Sequence, residues 1–164
     1  MNKQQVTQSM DYKWHARCVK TFLALWGIVA VVCIFVCMFA VFTDKQVLFS
    51  FAIGVVAAAA FGLIFLPLCI SHWVGMSRLT KSAEGFVANK AVLDTPHFTD
   101  GKNKKAYFTV TFSDKDGKTI YSDTAPLFGS GMWAVYLFED YNNKLVDIAY
   151  NAATNKVIVL GIVD

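Results

Sequence analysis

The chain is 164 residues long, 55% apolar and only 16% charged, whereas soluble domains run at roughly 45–50% apolar and about 25% charged. The excess of apolar residues points to lipid contact and leaves room for one small soluble fold once a membrane portion is set aside. A formal net charge of +3 excludes a nucleic-acid binder, in which basic residues cluster along one element with aromatic residues interleaved.

Residues 1–20 form a basic segment in which Lys3, Lys13, Arg17 and Lys20 outweigh Asp11. Trp14 is expected in the lipid headgroup layer as part of a short basic helix, and residues 1–10 are explained equally well as a solvated tail. Residues 21–43, TFLALWGIVAVVCIFVCMFAVFT, carry no charge, and a helix of that length covers the roughly 30 Å hydrocarbon core of a bilayer. Residues 47–70, VLFSFAIGVVAAAAFGLIFLPLCI, do the same, with Pro67 tolerated near the end. The first apolar run is too long for a signal peptide, lacks a small-residue cleavage site before Asp44, and is followed at once by the second.

Only Asp44, Lys45 and Gln46 separate the two spans, so residues 21–74 are expected to form an antiparallel transmembrane hairpin. Gly54, Ala58 and Gly62 recur at every fourth position and make a stripe on which another helix can approach the backbone closely. The first span is the expected partner; homodimerisation through the same stripe is the alternative. Four basic residues precede the first span and Arg78 and Lys81 follow the second, while the tip holds Lys45 alone, which places both termini in the cytoplasm.

The cysteines, Cys18, Cys33, Cys37 and Cys69, all lie in or beside the apolar segments, which excludes a secreted disulfide framework. Cys33 and Cys37 share a helix face, but zinc needs further ligands that an apolar span does not supply. No metal site and no cofactor is expected.

Residues 75–164 change to short alternating segments, the pattern of a small antiparallel β-rich domain, sheet or barrel. Residues 76–83 link it to the membrane, 86–93 read as a first strand, and 94–105, with Pro96, Gly101 and three lysines, read as a loop. In residues 106–113, Ala106, Phe108, Val110 and Phe112 fall on one face and Tyr107, Thr109, Thr111 and Ser113 on the other.

Residues 114–117 begin like a calcium loop, but Lys118 stands where an oxygen ligand is needed, so a tight turn is expected. Alternation on both sides pairs Phe112 with Ile120, Val110 with Ser122 and Ser113 with Thr119. Lys115, Asp116 and Gly117 are left as a three-residue loop with Gly117 at positive φ.

Gly129, Ser130 and Gly131 read as a flexible joint and lack the context of a nucleophile elbow. Residues 132–141 concentrate Trp133, Tyr136, Phe138 and Tyr141, which serve either the core or a surface that meets headgroups or a partner protein. Residues 145–150 and 157–163 read as two late strands, the second apolar on both faces and therefore central.

YFTVTFSDKDGKTIYS at residues 107–122 and LVDIAYNAATNKVIVLG at 145–161 resemble a broad family of uncharacterised bacterial inner-membrane proteins, in which a helical membrane anchor carries a small β domain. That family commonly has Tyr-Asp-Pro at the late turn, where this chain has Tyr150, Asn151 and Ala152, and the stretch around Trp133 looks inserted. The resemblance implies a membrane-tethered β module and carries no reaction or substrate.

The functional expectation is a non-enzymatic interaction or regulatory protein holding a cytosolic β domain at the bacterial inner membrane, with the bilayer and a protein of unknown identity as partners. Two alternatives share this architecture: an immunity or exclusion protein that neutralises a membrane-active toxin, and a subunit of a secretion or envelope assembly. Catalysis needs convergent polar groups, and His97 is the one histidine in the soluble part.

Overall fold

The computed structural model describes residues 1–43, 47–100, 104–114, 116–131 and 134–163. It divides into two compact units, His15–Met76 and the combination of Met1–Trp14 with Ser77–Asp164.

The first unit is a hairpin made of the greater part of two long apolar helices, α2 (Met10–Thr43) and α3 (Val47–Lys81), whose outer ends, Met10–Trp14 and Ser77–Lys81, belong to the second. Ser9 caps α2, its Oγ accepting the Tyr12 N–H at 3.2 Å. Contacts step in opposite directions along the two helices, as antiparallel packing requires. Gly54 faces Cys37, Gly62 faces Trp26, Phe22 lies beside Phe65, Cys69 reaches the Val19 carbonyl and His15 meets His72. Both helices are long and apolar enough to cross a membrane, and almost none of either apolar stretch is covered by protein. Phe35 is 69% exposed and Leu63 78%.

The second unit is a sheet of seven strands: β1 (Val87–Phe98), β2 (Lys105–Ser113), β3 (Thr119–Asp123), β4 (Phe128–Gly129), β5 (Tyr136–Leu137), β6 (Leu145–Asn151) and β7 (Lys156–Ile162). The order is β5-β4-β2-β1-β6-β7, with β3 paired to the other part of the β2 edge. All pairings are antiparallel except β4 with β5. Contact between β3 and β7 marks a sheet curled into a half-barrel.

The β2–β3 hairpin has the register expected from alternation. Phe112 pairs with Ile120, Val110 with Ser122 and Ser113 with Thr119. Gly117 has φ +75°, and the Asp114 N–H donates to the Lys118 carbonyl at 2.9 Å, closing the loop. Ala106, Phe108, Val110 and Phe112 are all buried on the concave face, with Leu93, Val146, Ile148, Val157 and Val159.

The expected loop over residues 94–105 is partly strand: β1 continues through Pro96 to Phe98. A register shift between Leu93 and Thr95 makes room, and pairing with β6 ends at Val92. Pro96 therefore sits where one edge of β1 has no ladder to donate to, and its missing N–H leaves nothing unpaired. Gly129, expected in a flexible joint, belongs to the short strand β4. Residues 136–141 are neither wholly helix nor wholly strand: β5 runs straight into the single turn α4 (Phe138–Tyr141).

β7 is not central, as its two apolar faces suggested, but lies last in the strand order. Its concave-facing Val157 and Val159 join the core, while Ile158 on the other face is covered by Val6, Leu79, Ala83 and Phe86. Both faces are buried because the N-terminal segment and the end of α3 cover the outside.

Residues 1–10 are not a solvated tail. The short helix α1 (Lys3–Thr7) is closed by a capping box in which Asn2 and Gln5 bond each other's backbone. Val6 and Ser9 are fully buried, and the Met1 ammonium donates to the Phe86 carbonyl at 3.0 Å.

Candidate functional site

The small-residue stripe on α3 faces α2. A side chain at Gly54 would overlap the Cys37 sulfur, one at Gly62 would lie 3.3 Å from the Trp26 indole nitrogen, and that nitrogen donates to the Ala58 carbonyl at 3.4 Å. Close backbone approach and hydrogen bonds of this kind are what hold helices together where both are surrounded by lipid. Further along, the Nδ1 atoms of His15 and His72 are 2.9 Å apart, a distance that requires one ring to donate and the other to accept.

The aromatic residues of the second unit turn mostly inward. Tyr136, Phe138 and Tyr141 are half-buried against the core. Phe128 lies 5.1 Å from Tyr141, and Phe108 lies 6.2 Å from Phe138 in a stacked arrangement. Tyr136 and Tyr141 also line a shallow cleft with Gly131, Ala134, Val135, Leu137 and Asp140. Burial holds the Tyr141 hydroxyl above its ordinary pKa, and the neighbouring Asp140 adds to the shift. Trp133 lies outside the described residues.

The convex face shows what sequence inspection missed. Register places Leu145 opposite Val92, Val92 opposite Thr111 and Thr111 opposite Tyr121, one row running across four strands. Leu145 and Val92 are each 42% exposed and Tyr121 69%. The signal lay in strand pairing, since these residues are scattered over residues 92–145 and none looks unusual in its own segment.

On the same face the Thr109 hydroxyl donates to Asp123 at 2.7 Å, and the His97 Nε2 is 2.9 Å from that hydroxyl. Because the Thr109 proton points to the carboxylate, Nε2 carries the proton of that contact and donates it. The His97 ring is also stacked on Tyr107. Among the described residues no group of three or more metal-ligating side chains converges.

The N-terminal segment is the least expected constellation. The Asp11 carboxylate is buried in the second unit and accepts the Val159 N–H of β7 at 3.0 Å. One residue earlier, the Met10 carbonyl accepts the Tyr136 hydroxyl of β5 at 3.3 Å. One turn on, the Lys105 ammonium of β2 lies 4.9 Å from the centre of the Trp14 ring. β5 and β7 are the two ends of the strand order, so the first turn of α2 bridges the opening of the half-barrel. Asp11 precedes the charge-free stretch by ten residues and belongs to the β unit. Desolvation raises its pKa from 3.8 to about 6 against the opposing pull of the Val159 N–H and the Lys156 charge.

No known protein family, no curated protein and no solved structure matches the chain. What is shown is the architecture alone, two long apolar helices and a curled β half-barrel, with no family identified.

Proposed function

We propose that the chain is a membrane-anchored, non-enzymatic interaction protein: α2 and α3 cross the bacterial inner membrane as a hairpin with both termini in the cytoplasm, and the half-barrel binds a protein partner there. The observation that carries this reading is the outward-facing apolar surface of the helix pair, with residues such as Phe35 and Leu63 uncovered by any other part of their unit. A soluble protein would hide such residues; a bilayer accepts them. Flanking basic residues supply the orientation.

The convex row supports the interaction role, since Leu145, Val92 and Tyr121 are exposed among the described residues and lie in one line across the sheet with Thr111. Tethering confines the row to the membrane surface and raises its encounter with partners held there.

Two experiments bear on the two halves. In intact cells, a cysteine placed at Lys45 should react with a membrane-impermeant thiol reagent and one placed at Asp100 should not; the reverse pattern puts the half-barrel outside the cell. A photo-reactive residue at Tyr121 or Val92 should cross-link one discrete protein in native membranes, while the same residue at the exposed turn position Ala153 yields none. Equal adducts at all three positions would remove the convex row as the binding surface.

A further inference from the structure

The N-terminal segment enters the half-barrel in a way that neither membrane anchoring nor partner binding requires. Val6 fills a fully buried position on the convex side among Leu79, Ala83, Phe86, Ala149 and Ile158. Met10 fills one in the concave core, among residues that include Val159 and Phe128. Four residues of one short segment thus carry it from one face of β7 to the other, around the free edge. At the edge itself Asp11 takes the Val159 N–H, the kind of unpaired strand donor that proteins otherwise cover to avoid pairing with another chain. The register shift in β7 falls beside Val159, where Asp147 pairs with Gly161 and Ile148 with Val159. A carboxylate is an unusual choice for this position, because a buried charge is disfavoured while an uncharged amide accepts the same hydrogen bond freely.

We propose that residues 1–14 are a proton-gated clasp: with Asp11 neutral they close the opening between β5 and β7, and ionisation of Asp11 loosens them and bares the β7 edge. Among the described residues, three strands contribute groups that face the clasp. β7 contributes the Val159 N–H and the Lys156 charge, β5 the Tyr136 hydroxyl, and β2 the Lys105 ammonium over Trp14. At the far end the Met1 ammonium is held by the Phe86 carbonyl. Among the described residues, the charged group that favours the ionised form is Lys156, so ionisation is incompletely compensated. A clasp that lets go returns Asp11 to water, where its pKa is ordinary. The difference between about 6 docked and 3.8 free weakens docking by roughly 100-fold as pH rises from below 4 to above 6, at tenfold per pKa unit.

The direction is counter to a surface ion pair: the clasp is tightest in acid and loosens toward neutrality. Released, it frees one ladder edge and the convex hollow that Val6 fills, so the opening offers an extended segment both backbone partners and an apolar socket.

The test is hydrogen exchange read residue by residue on the full chain in detergent micelles between pH 4.5 and 7.5, with Asp11→Asn measured in parallel to cancel the intrinsic pH dependence of exchange. Protection of the Val159 amide, relative to Asp11→Asn, should fall by roughly 25-fold over that range, the rest of the change lying below pH 4.5. At every pH it should stay below that of the Val110 amide in the middle of β2. Tyr136→Phe should lower Val159 protection by the same factor at every pH, because it removes a contact of the clasp and no charge. A wild-type to Asp11→Asn ratio that does not change with pH overturns the proton gate. Equal protection at Val159 and Val110 overturns the clasp, since the segment would then leave only when the whole domain unfolds.

Discussion

The helix pair and the half-barrel are built from the same apolar residue types and use them in opposite ways. Phe35 on α2 is largely exposed, while Phe108 on β2 is fully buried. In the helices the closest approach falls at small residues, Gly54 against Cys37 and Ala58 under the Trp26 indole, with Phe22 beside Phe65 filling the wider part. In the half-barrel the inward positions go to the largest apolar side chains, set by the alternation of the strands. Burial from water is the organising force of the half-barrel; in the bilayer setting proposed for the helix pair, close fit and hydrogen bonds take its place. One chain therefore carries two packing rules, and substitutions in each unit separate them.

The largest effect belongs to the core. Phe108→Ala should destabilise the half-barrel by about 3–5 kcal/mol, because the ring packs on both Phe128 and Phe138 and leaves a cavity when removed. The same truncation at Leu63, on the exposed face of α3, should change the stability of the helix pair by less than about 0.5 kcal/mol. Thermal unfolding in detergent, followed separately for the two units by site-specific probes, checks both. Comparable losses would mean that Leu63 is covered by a second copy or another protein.

Next in size is the pH dependence of the half-barrel. A carboxyl whose folded pKa lies above its unfolded value favours the proton-bound native state. The full stability is therefore present below about 3.8 and is lost progressively as pH rises to about 6. The loss amounts to about 3 kcal/mol and levels off above that pH. Asp11→Asn should abolish the slope and leave the variant more stable than the parent at pH 7.5, as denaturant titrations at the two ends of the range would show. A fall in stability on acidification through the same window would reverse the sign and remove Asp11 as its cause.

For the helix pair the sharpest change is Gly54→Leu. A side chain there meets the Cys37 sulfur within the helix interface, and overpacking of a tight contact costs about 1–3 kcal/mol. Reaction of Cys37 with a small lipid-soluble thiol reagent should speed up as the helices part, while the half-barrel's unfolding midpoint stays where it was. An unchanged Cys37 rate would mean that the stripe is not what holds the helices together.

What could be read from the residues alone follows the same division. Long charge-free runs and strict alternation are local signals, and both the helix pair and the β2–β3 register were legible from them. The clasp was not, because residues 1–10 contain only Val6 and two methionines as apolar residues in a polar run, and a lone Asp11 reads as solvated. Its partner Val159 is 148 positions away. The edge position of β7 was hidden for the same reason: two apolar faces imply two covering layers, and one of those layers is the N-terminal segment and the end of α3 rather than further strands. The convex row was invisible until strand pairing aligned Leu145, Val92, Thr111 and Tyr121.

The smallest predicted effect isolates backbone from packing altogether. Gly117 sits at φ +75° with nothing within 4 Å of where a Cβ would stand, so Gly117→Ala meets no steric neighbour and pays only for the left-handed conformation. That penalty is about 1 kcal/mol. Asn155, at φ 47° in the β6–β7 turn, shows that this fold already accepts a left-handed residue with a side chain, and Asn adopts that conformation more readily than Ala. Gly117→Asn should therefore cost less than Gly117→Ala, and both should keep Phe112 opposite Ile120, because that register is held by the buried face rather than by the turn. Unfolding midpoints rank the two variants, and backbone contacts between Phe112 and Ile120 in a resonance-assigned sample report the register. If Gly117→Ala instead shifted the pairing by one residue, the turn would be setting the hairpin and the alternation of β2 would be following it.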